Sequence, residues 1–227
     1  MIVALIDYKA GNLTSVRKAL TSLGAEILTP GTPADLDGAD AIIVPGVGHF
    51  EATAAIDPEW HRAIRARLAA GVPLLGICLG QQWLFEGSEE SPDVPGLGVL
   101  PGRCVKLDPG APAAAGSALK VPHVGWNALQ QTGRPSRLLA GIADQAQAYF
   151  THSYVAPDSG ATVAVTEHGV AFASVVEQDL VFGAQFHPEK SGETGLRMLR
   201  NFLDVVEQRI PSASDGRRPT AAGRGVR

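Results

Sequence analysis

The stretch Gly76-Ile77-Cys78-Leu79-Gly80 places a sulfur between two glycines, each two residues away, where the apolar run Val72–Ile77 ends and a helical pattern begins. This Gly-x-nucleophile-x-Gly form is that of a nucleophile elbow. A sharp strand-to-helix turn crowds the backbone around the nucleophile, and the flanking glycines relieve the crowding. Such a turn sets Cys78 at a helix N-terminus, where the dipole and free N–H groups favour thiolate over thiol. A lone cysteine is more commonly a buried packing residue, but packing does not require the paired glycines.

A thiolate nucleophile needs a base to shuttle protons and a group to hold that base. Phe186-His187-Pro188-Glu189 follows the last apolar run. Residues two apart in an extended segment share a face, so His187 and Glu189 are expected side by side, the carboxylate accepting from the imidazole. Pro188 restricts the backbone between them. The other five histidines, His49, His61, His123, His152 and His168, are set aside as bases. No His/Cys spacing suggests a metal site, and no cofactor is expected. Pro45-Gly46-Val47-Gly48 is a glycine-rich turn after a strand, unlike a GxGxxG or P-loop pattern. Beside an elbow, an N–H from Val47 or Gly48 and that of Leu79 would receive a tetrahedral oxyanion.

The elements that must position these groups alternate. Ile2–Ile6 reads as a buried strand, and Leu13, Val16, Leu20 and Leu23 as a helix ended by Gly24. Ile27-Leu28 is a weak strand and Ala41–Val44 a stronger one. Asp57-Pro58 reads as an N-cap and first helical residue, with Trp60, Ile64 and Leu68 on one face and Gly71 as the stop. Val72–Ile77 is the next strand and Leu79 to Glu86 the next helix. This β-α-β-α rhythm predicts an α/β fold with a mainly parallel sheet and helices on both faces. Ligands of such sheets bind beyond the strands' carboxyl ends, where both Gly46–Gly48 and Cys78 lie.

From Gly96 to about Val176, short β-like pieces (Gly98–Leu100, Cys104–Leu107, Thr162–Val165, Ala171–Val176) suggest a smaller antiparallel region. Val181–Phe186 is a final strand, and Leu196, Leu199, Leu203 and Val206 mark a closing helix. Pro109–Gly116 reads as a flexible loop and residues 211–227 as a disordered tail with almost nothing to bury. The expected division is therefore a domain over 1–210 and a tail.

The 227 residues are 45% hydrophobic and 19% charged, as in ordinary globular proteins. A net charge of −4 gives no electrostatic reason to expect nucleic acid or an anionic membrane as partner. Its distribution is uneven: five arginines and one acid fall from Arg209 onward, leaving 14 basic and 22 acidic groups in residues 1–208. Two cysteines point to a reducing cytoplasm rather than a disulfide scaffold. No apolar run approaches the roughly 20 residues needed to span a bilayer.

GICLGQQ with a later HPE resembles the triad-type (class I) glutamine amidotransferases. PGVG at 45–48, PHVGWN at 122–127, THSY at 151–154 and HPEKS at 187–191 resemble, within that family, the glutaminase subunits of imidazole glycerol phosphate synthase. The resemblance runs from about Ile2 to Val206. It implies that Cys78 attacks the side-chain amide of glutamine, that His187 moves the protons, and that Glu189 orients His187. It further implies that Gln82 and Glu90 hold the glutamine, and that the backbone of His152, Ser153 and Tyr154 holds its α-carboxylate. The freed ammonia would pass through a tunnel to a (β/α)8-barrel synthase of histidine biosynthesis, with Asn12, Trp126 and Lys190 facing that partner. Lys9, His49 and Gln81 stand where family members commonly carry glycine, alanine and methionine. A Val47 carbonyl turned into the site would leave the oxyanion hole incomplete. The lone subunit would then be nearly inactive, and partner binding would favour a flipped peptide. The same residues leave open a glutaminase serving another synthase, a non-catalytic partner-binding module, and a cysteine hydrolase of peptides or esters.

Overall fold

A computed structural model describes residues 1–11, 13–108 and 120–210. The expected loop at Pro109–Gly116 and the tail at 211–227 lie outside the described residues. The first half follows the expected rhythm: β1 (Ile2–Leu5), α1 (Leu13–Ser22), β2 (Glu26–Leu28), β3 (Ala41–Gly46), α2 (Pro58–Ala69), β4 (Leu74–Cys78) and α3 (Leu79–Trp83). Asp57 caps α2, its carboxylate accepting from the N–H groups of Glu59 and Trp60 at 2.7 and 3.1 Å. Gly24 and Gly71, both at φ +88°, end α1 and α2.

Then come β5 (Gly87–Ser88), β6 (Ser91–Pro95), β7 (Arg103–Lys106), β8 (His123–Gln131), β9 (Ala146–His152), β10 (Tyr154–Val155), β11 (Thr162–His168), β12 (Val170–Gln178), β13 (Val181–Ala184) and α4 (Gly192–Glu207). A nine-stranded sheet has the order β2-β1-β3-β4-β13-β12-β11-β8-β9. From β2 to β13 its neighbours are parallel; from β13 to β9 they are antiparallel. A four-stranded sheet, β10-β7-β5-β6, lies beside it.

Side-chain alternation along the strands sorts two cores. Val3, Leu5, Ala41, Ile43, Leu75 and Ile77 join α1 and α4 on one face; Ala4, Ile6, Ile42, Val44 and Leu74 join Ile64 of α2 and Trp83 of α3 on the other. This two-sided burial is why the parallel strands read as continuous apolar runs.

Several local expectations fail for physical reasons. The helix after Cys78 stops at Trp83 instead of Glu86, because the main-chain carbonyls of Trp83 and Phe85 accept from Leu97 and Gly98 as the chain folds back. Gly98–Leu100 is not a strand. Most of the antiparallel region extends the main sheet rather than standing apart, and its long members β8 and β9 carry too many polar residues to have announced themselves. Of the face expected on α2, only Ile64 is buried; on α4, Leu196 is exposed while Phe202 and Met198 are buried.

The elbow glycines are sterically required. A Cβ on Gly80 would lie 1.7 Å from the Val44 carbonyl oxygen, and one on Gly76 2.4 Å from the Gly80 carbonyl oxygen. Gly38 meets nothing within 4 Å. Gly80→Ala is therefore expected to lower unfolding free energy by about 3 kcal/mol or more, and Gly38→Ala by less than about 0.5 kcal/mol. Urea denaturation of the two variants checks this contrast.

Candidate active site

Cys78 ends β4 and caps α3 at φ 54°, ψ −106°. A non-glycine residue rarely takes that conformation, and here it sets the buried sulfur at the turn between β4 and α3. Gly46 lies opposite Cys78 in the β3–β4 register, so the PGVG turn and the sulfur meet at the carboxyl ends of adjacent parallel strands, as expected. Gln185 Nε2 donates to the Cys78 sulfur at 3.8 Å, and the thiol reaches the Thr151 carbonyl at 3.9 Å.

His187 and Glu189 do lie side by side: His187 Nδ1 donates to Glu189 Oε1 at 2.8 Å, with both side chains buried. The backbone reason differs from the expected extended segment. His187 is extended, but Pro188–Lys190 is a single 3-10 turn closed by Lys190 N–H donating to the His187 carbonyl. His187 Nε2 makes no hydrogen bond within the described residues, and the Cys78 sulfur acts on it electrostatically. Burial alone pulls the imidazolium down. Cys78 and the Glu189 carboxylate outweigh it and raise His187 to about 10.

Spacing alone does not single out His187. His49 also has a carboxylate two residues on, Glu51, yet its Nδ1 accepts from the Glu51 main-chain N–H at 3.2 Å, while that carboxylate takes the Ser91 hydroxyl at 3.2 Å. His49 is exposed; His187 is buried at the end of the last strand.

A pocket of about 340 Å³ opens over the sulfur and is lined in part by Gly48, Leu79, Gln82, Glu90 and His152–Tyr154. Its size suits a small polar molecule. Gln82 Nε2 donates to the Tyr154 carbonyl at 2.8 Å and to Gln185 Oε1 at 3.3 Å. Glu90 accepts from the Phe50 N–H at 2.8 Å, which ties the wall to the segment after PGVG. Val47 is half-buried beside His187 and Glu189 rather than in this pocket. The two glycines around Val47 have different causes. A Cβ on Gly46 would strike the Tyr8 hydroxyl at 1.8 Å, whereas Gly48 stands in open space at φ +100°. Backbone freedom in the turn therefore rests on Gly48.

Trp126 and Lys190 lie outside the pocket and exposed; Asn12 lies outside the described residues. Lys9 takes φ 65°, a conformation that favours glycine, and its ammonium pairs with Asp7 at 2.9 Å. Gln81 is fully buried and donates to the Ala173 carbonyl at 3.1 Å. Two groups escaped the sequence. Gln185 looks like one polar residue at the end of a strand, with no spacing to flag it. Tyr8 is buried against Gly46, its hydroxyl pushed upward by burial and then by the Cys78 charge.

A family model described as glutamine amidotransferase class-I matches residues 4–206. The chain belongs to that family. Among relatives of this amidotransferase, the imidazole glycerol phosphate synthase subunit HisH of Xylella fastidiosa is 50% identical over 204 residues, spanning 89% of this chain and 97% of that one. The protein of the same name from Methanothermobacter thermautotrophicus is 42% identical over 206 residues, spanning 90% and 99%. A crystal structure of a glutamine amidotransferase superposes with a TM-score of 0.69 at 22% identity, covering 91% of this chain and 100% of that one. PurLQS from Thermotoga maritima gives 0.68 at 20% identity, covering 89% and 97%. Both share the amidotransferase fold.

Cys78→Ala removes the sulfur's influence, which raises His187, and leaves only Glu189 to oppose burial, which lowers it. The His187 pKa is expected to fall from about 10. Because the folded value exceeds the unfolded one of about 6.5, the charged ring stabilises the fold fully below that unfolded value and ceases to as pH rises through the folded value. In Cys78→Ala that loss moves to lower pH. NMR titration of the His187 ring in both proteins tests the direction.

Proposed function

We propose that this chain is the glutaminase subunit of an imidazole glycerol phosphate synthase. The observation that carries the proposal is the pocket that sets Cys78 before a buried His187–Glu189 pair, in a chain similar to such subunits along nearly its whole length. The Cys78 thiolate adds to the side-chain carbonyl carbon of glutamine. The oxygen becomes an anion received by main-chain N–H groups of Leu79 and the Val47–Gly48 turn. The imidazolium of His187 gives its proton to the departing nitrogen, the C–N bond breaks, and ammonia leaves a thioester. Neutral His187 then takes a proton from water as the hydroxyl adds to the thioester, and glutamate departs with the thiolate restored. Glu189 holds the ring so that Nε2 serves both steps. Gln82, Glu90 and the His152–Tyr154 backbone bind the substrate.

Ammonia released here is consumed by a (β/α)8-barrel partner. The exposed face of β8 supports that docking: Val124 and Trp126, both more than half exposed, project on one side, and the Trp126 ring meets Tyr149 edge-on at 6.0 Å. An unsatisfied aromatic of this kind is a common interface anchor. Lys190 is exposed beside the triad. Within the described residues, no helix is long and apolar enough to cross a membrane. The glutaminase domain spans 1–210. A non-catalytic module gains nothing from holding Cys78 at φ 54°.

Mixing the chain with the barrel synthase and following glutamate formation tests the proposal. The complex is expected to hydrolyse glutamine at least tenfold faster than the lone chain, because partner binding completes the oxyanion hole. Cys78→Ala is expected to abolish glutamine-driven synthesis while leaving ammonia-driven synthesis intact. Full activity in the lone chain rejects the gating; no activity in either rejects the glutaminase assignment. Trp126→Ala is expected to weaken the complex by roughly tenfold or more, measured by titration calorimetry.

A further inference from the structure

Polar side chains that the sulfur chemistry does not use form one hydrogen-bonded series behind the pocket wall. It begins at Asn127, whose amide orientation is set by the backbone. Oδ1 accepts from the Ala128 N–H at 2.8 Å, and Nδ2 donates to the Glu167 carbonyl at 2.9 Å. The same Nδ2 lies 3.2 Å from His123 Nε2, so Nε2 is the bare, accepting nitrogen. The proton of a neutral His123 ring then sits on Nδ1, 3.2 Å from His152 Nε2. That nitrogen accepts in turn, and His152 Nδ1–H donates to the Tyr154 carbonyl at 3.1 Å.

Each bond dictates the direction of the next. A second proton on His123 would sit on Nε2, against the Asn127 NH2 group; one on His152 would sit against the His123 N–H. The series therefore exists only with both rings neutral. Their surroundings agree. His123 stacks between Phe150 at 4.9 Å and His168 at 4.1 Å. Burial, with the charge of neighbouring imidazoles second, pushes His123 down to about 4 and His152 to about 3.

The series ends where the pocket needs order. Tyr154 begins β10, a strand of two residues, and lines the pocket. Its carbonyl accepts from both His152 and Gln82, and the neighbouring Ser153 carbonyl accepts from the Leu107 N–H at 2.8 Å. Carbonyl oxygens turned into the pocket would repel a carboxylate. Held by these donors they are already occupied: the bond to the Ser153 carbonyl fixes the peptide that carries the Tyr154 N–H, and the two bonds to the Tyr154 carbonyl fix the peptide that follows it.

We propose that His123 is a positioning residue for glutamine binding: through His152 it holds the Tyr154 carbonyl, and with it the segment that receives the α-carboxylate. The proposal rests on the assignment of the pocket to glutamine.

The test uses the full chain in complex with its barrel synthase. His123→Phe keeps a ring between Phe150 and His168 but has neither nitrogen; His123→Asn keeps a donor near the position of Nδ1. In His123→Phe the KM for glutamine is expected to rise about tenfold, as for loss of one buried hydrogen-bonded positioning contact, with kcat changed less than about threefold. His123→Asn is expected to recover most of the KM. Co-elution of each variant with the barrel synthase as a complex of wild-type size, with an unchanged circular dichroism spectrum, shows that the variants fold and dock. An unchanged KM in His123→Phe, or a fall in kcat alone, overturns the proposal while wild-type glutamine turnover still supports the glutaminase assignment. Absence of that wild-type turnover removes both. Imidazole nitrogen NMR of the wild-type chain at pH 7 gives a readout independent of the variants. Both rings are expected as neutral Nδ1–H tautomers, and an Nε2–H or doubly protonated ring at either position overturns the proposal.

Discussion

The carbonyl oxygen of Val44 occupies the space where Gly80 would carry a side chain, and the carbonyl of Gly80 does the same above Gly76. Helix α3 is thereby pressed onto β3 and β4 more closely than any residue with a Cβ allows. The chain leaves β4 and enters this helix within one residue, and only a positive φ at Cys78 makes the connection. That conformation costs on the order of 1–3 kcal/mol. It persists because every residue of α3 is buried and Gln81 is bonded across to the Ala173 carbonyl. The sulfur's position is thus a consequence of backbone packing, and so is its meeting with the PGVG turn, since β3 is the strand that Gly80 touches.

Around this fixed sulfur, histidines of similar burial meet opposite fates. His187 faces a carboxylate and the Cys78 sulfur, and its charged form is favoured despite desolvation. His123 and His152 face amides, aromatic rings and each other; the Tyr154 carbonyl at His152 does not outweigh desolvation, and the charge is expelled. Burial sets the stakes and the neighbours decide the sign. One histidine is thereby equipped to carry a proton, and two to hold fixed hydrogen-bond directions.

Much of this was legible in the sequence because it depends on local pattern. Continuous apolar runs announced β1, β3 and β4, since strands covered on both faces cannot alternate. Gly76 and Gly80 announced the elbow, since only backbone crowding needs them there. His187 and Glu189 were legible by spacing, although the 3-10 turn that joins them was not, and the same spacing at His49 and Glu51 leads nowhere. What stayed hidden depends on contacts between distant segments. Gln185 is meaningful only because its amide reaches Cys78, 107 positions away in the chain. His123 and His152 belong together only through the β8–β9 register that sets them opposite each other. β8 itself escaped because its alternation is inverted: polar His123 and Asn127 lie on the more covered face and Val124 and Trp126 on the exposed one.

That outward face connects back to the triad. β9 ends the nine-stranded sheet, and an open edge of this kind ordinarily invites pairing with another chain. Here part of the edge is taken: the Tyr149 carbonyl accepts from the His187 N–H at 2.9 Å, and the Tyr149 N–H donates to the Ser191 hydroxyl at 2.9 Å. The segment bearing His187 and Glu189 is thus laid along β9 in place of a further strand. The Tyr149 ring meets Trp126, while the next residue but one, Thr151, reaches the Cys78 sulfur. β9 therefore touches both members of the pair, the base through main-chain hydrogen bonds at Tyr149 and the sulfur through the Thr151 carbonyl, although the sulfur's own position is set by the β4–α3 turn.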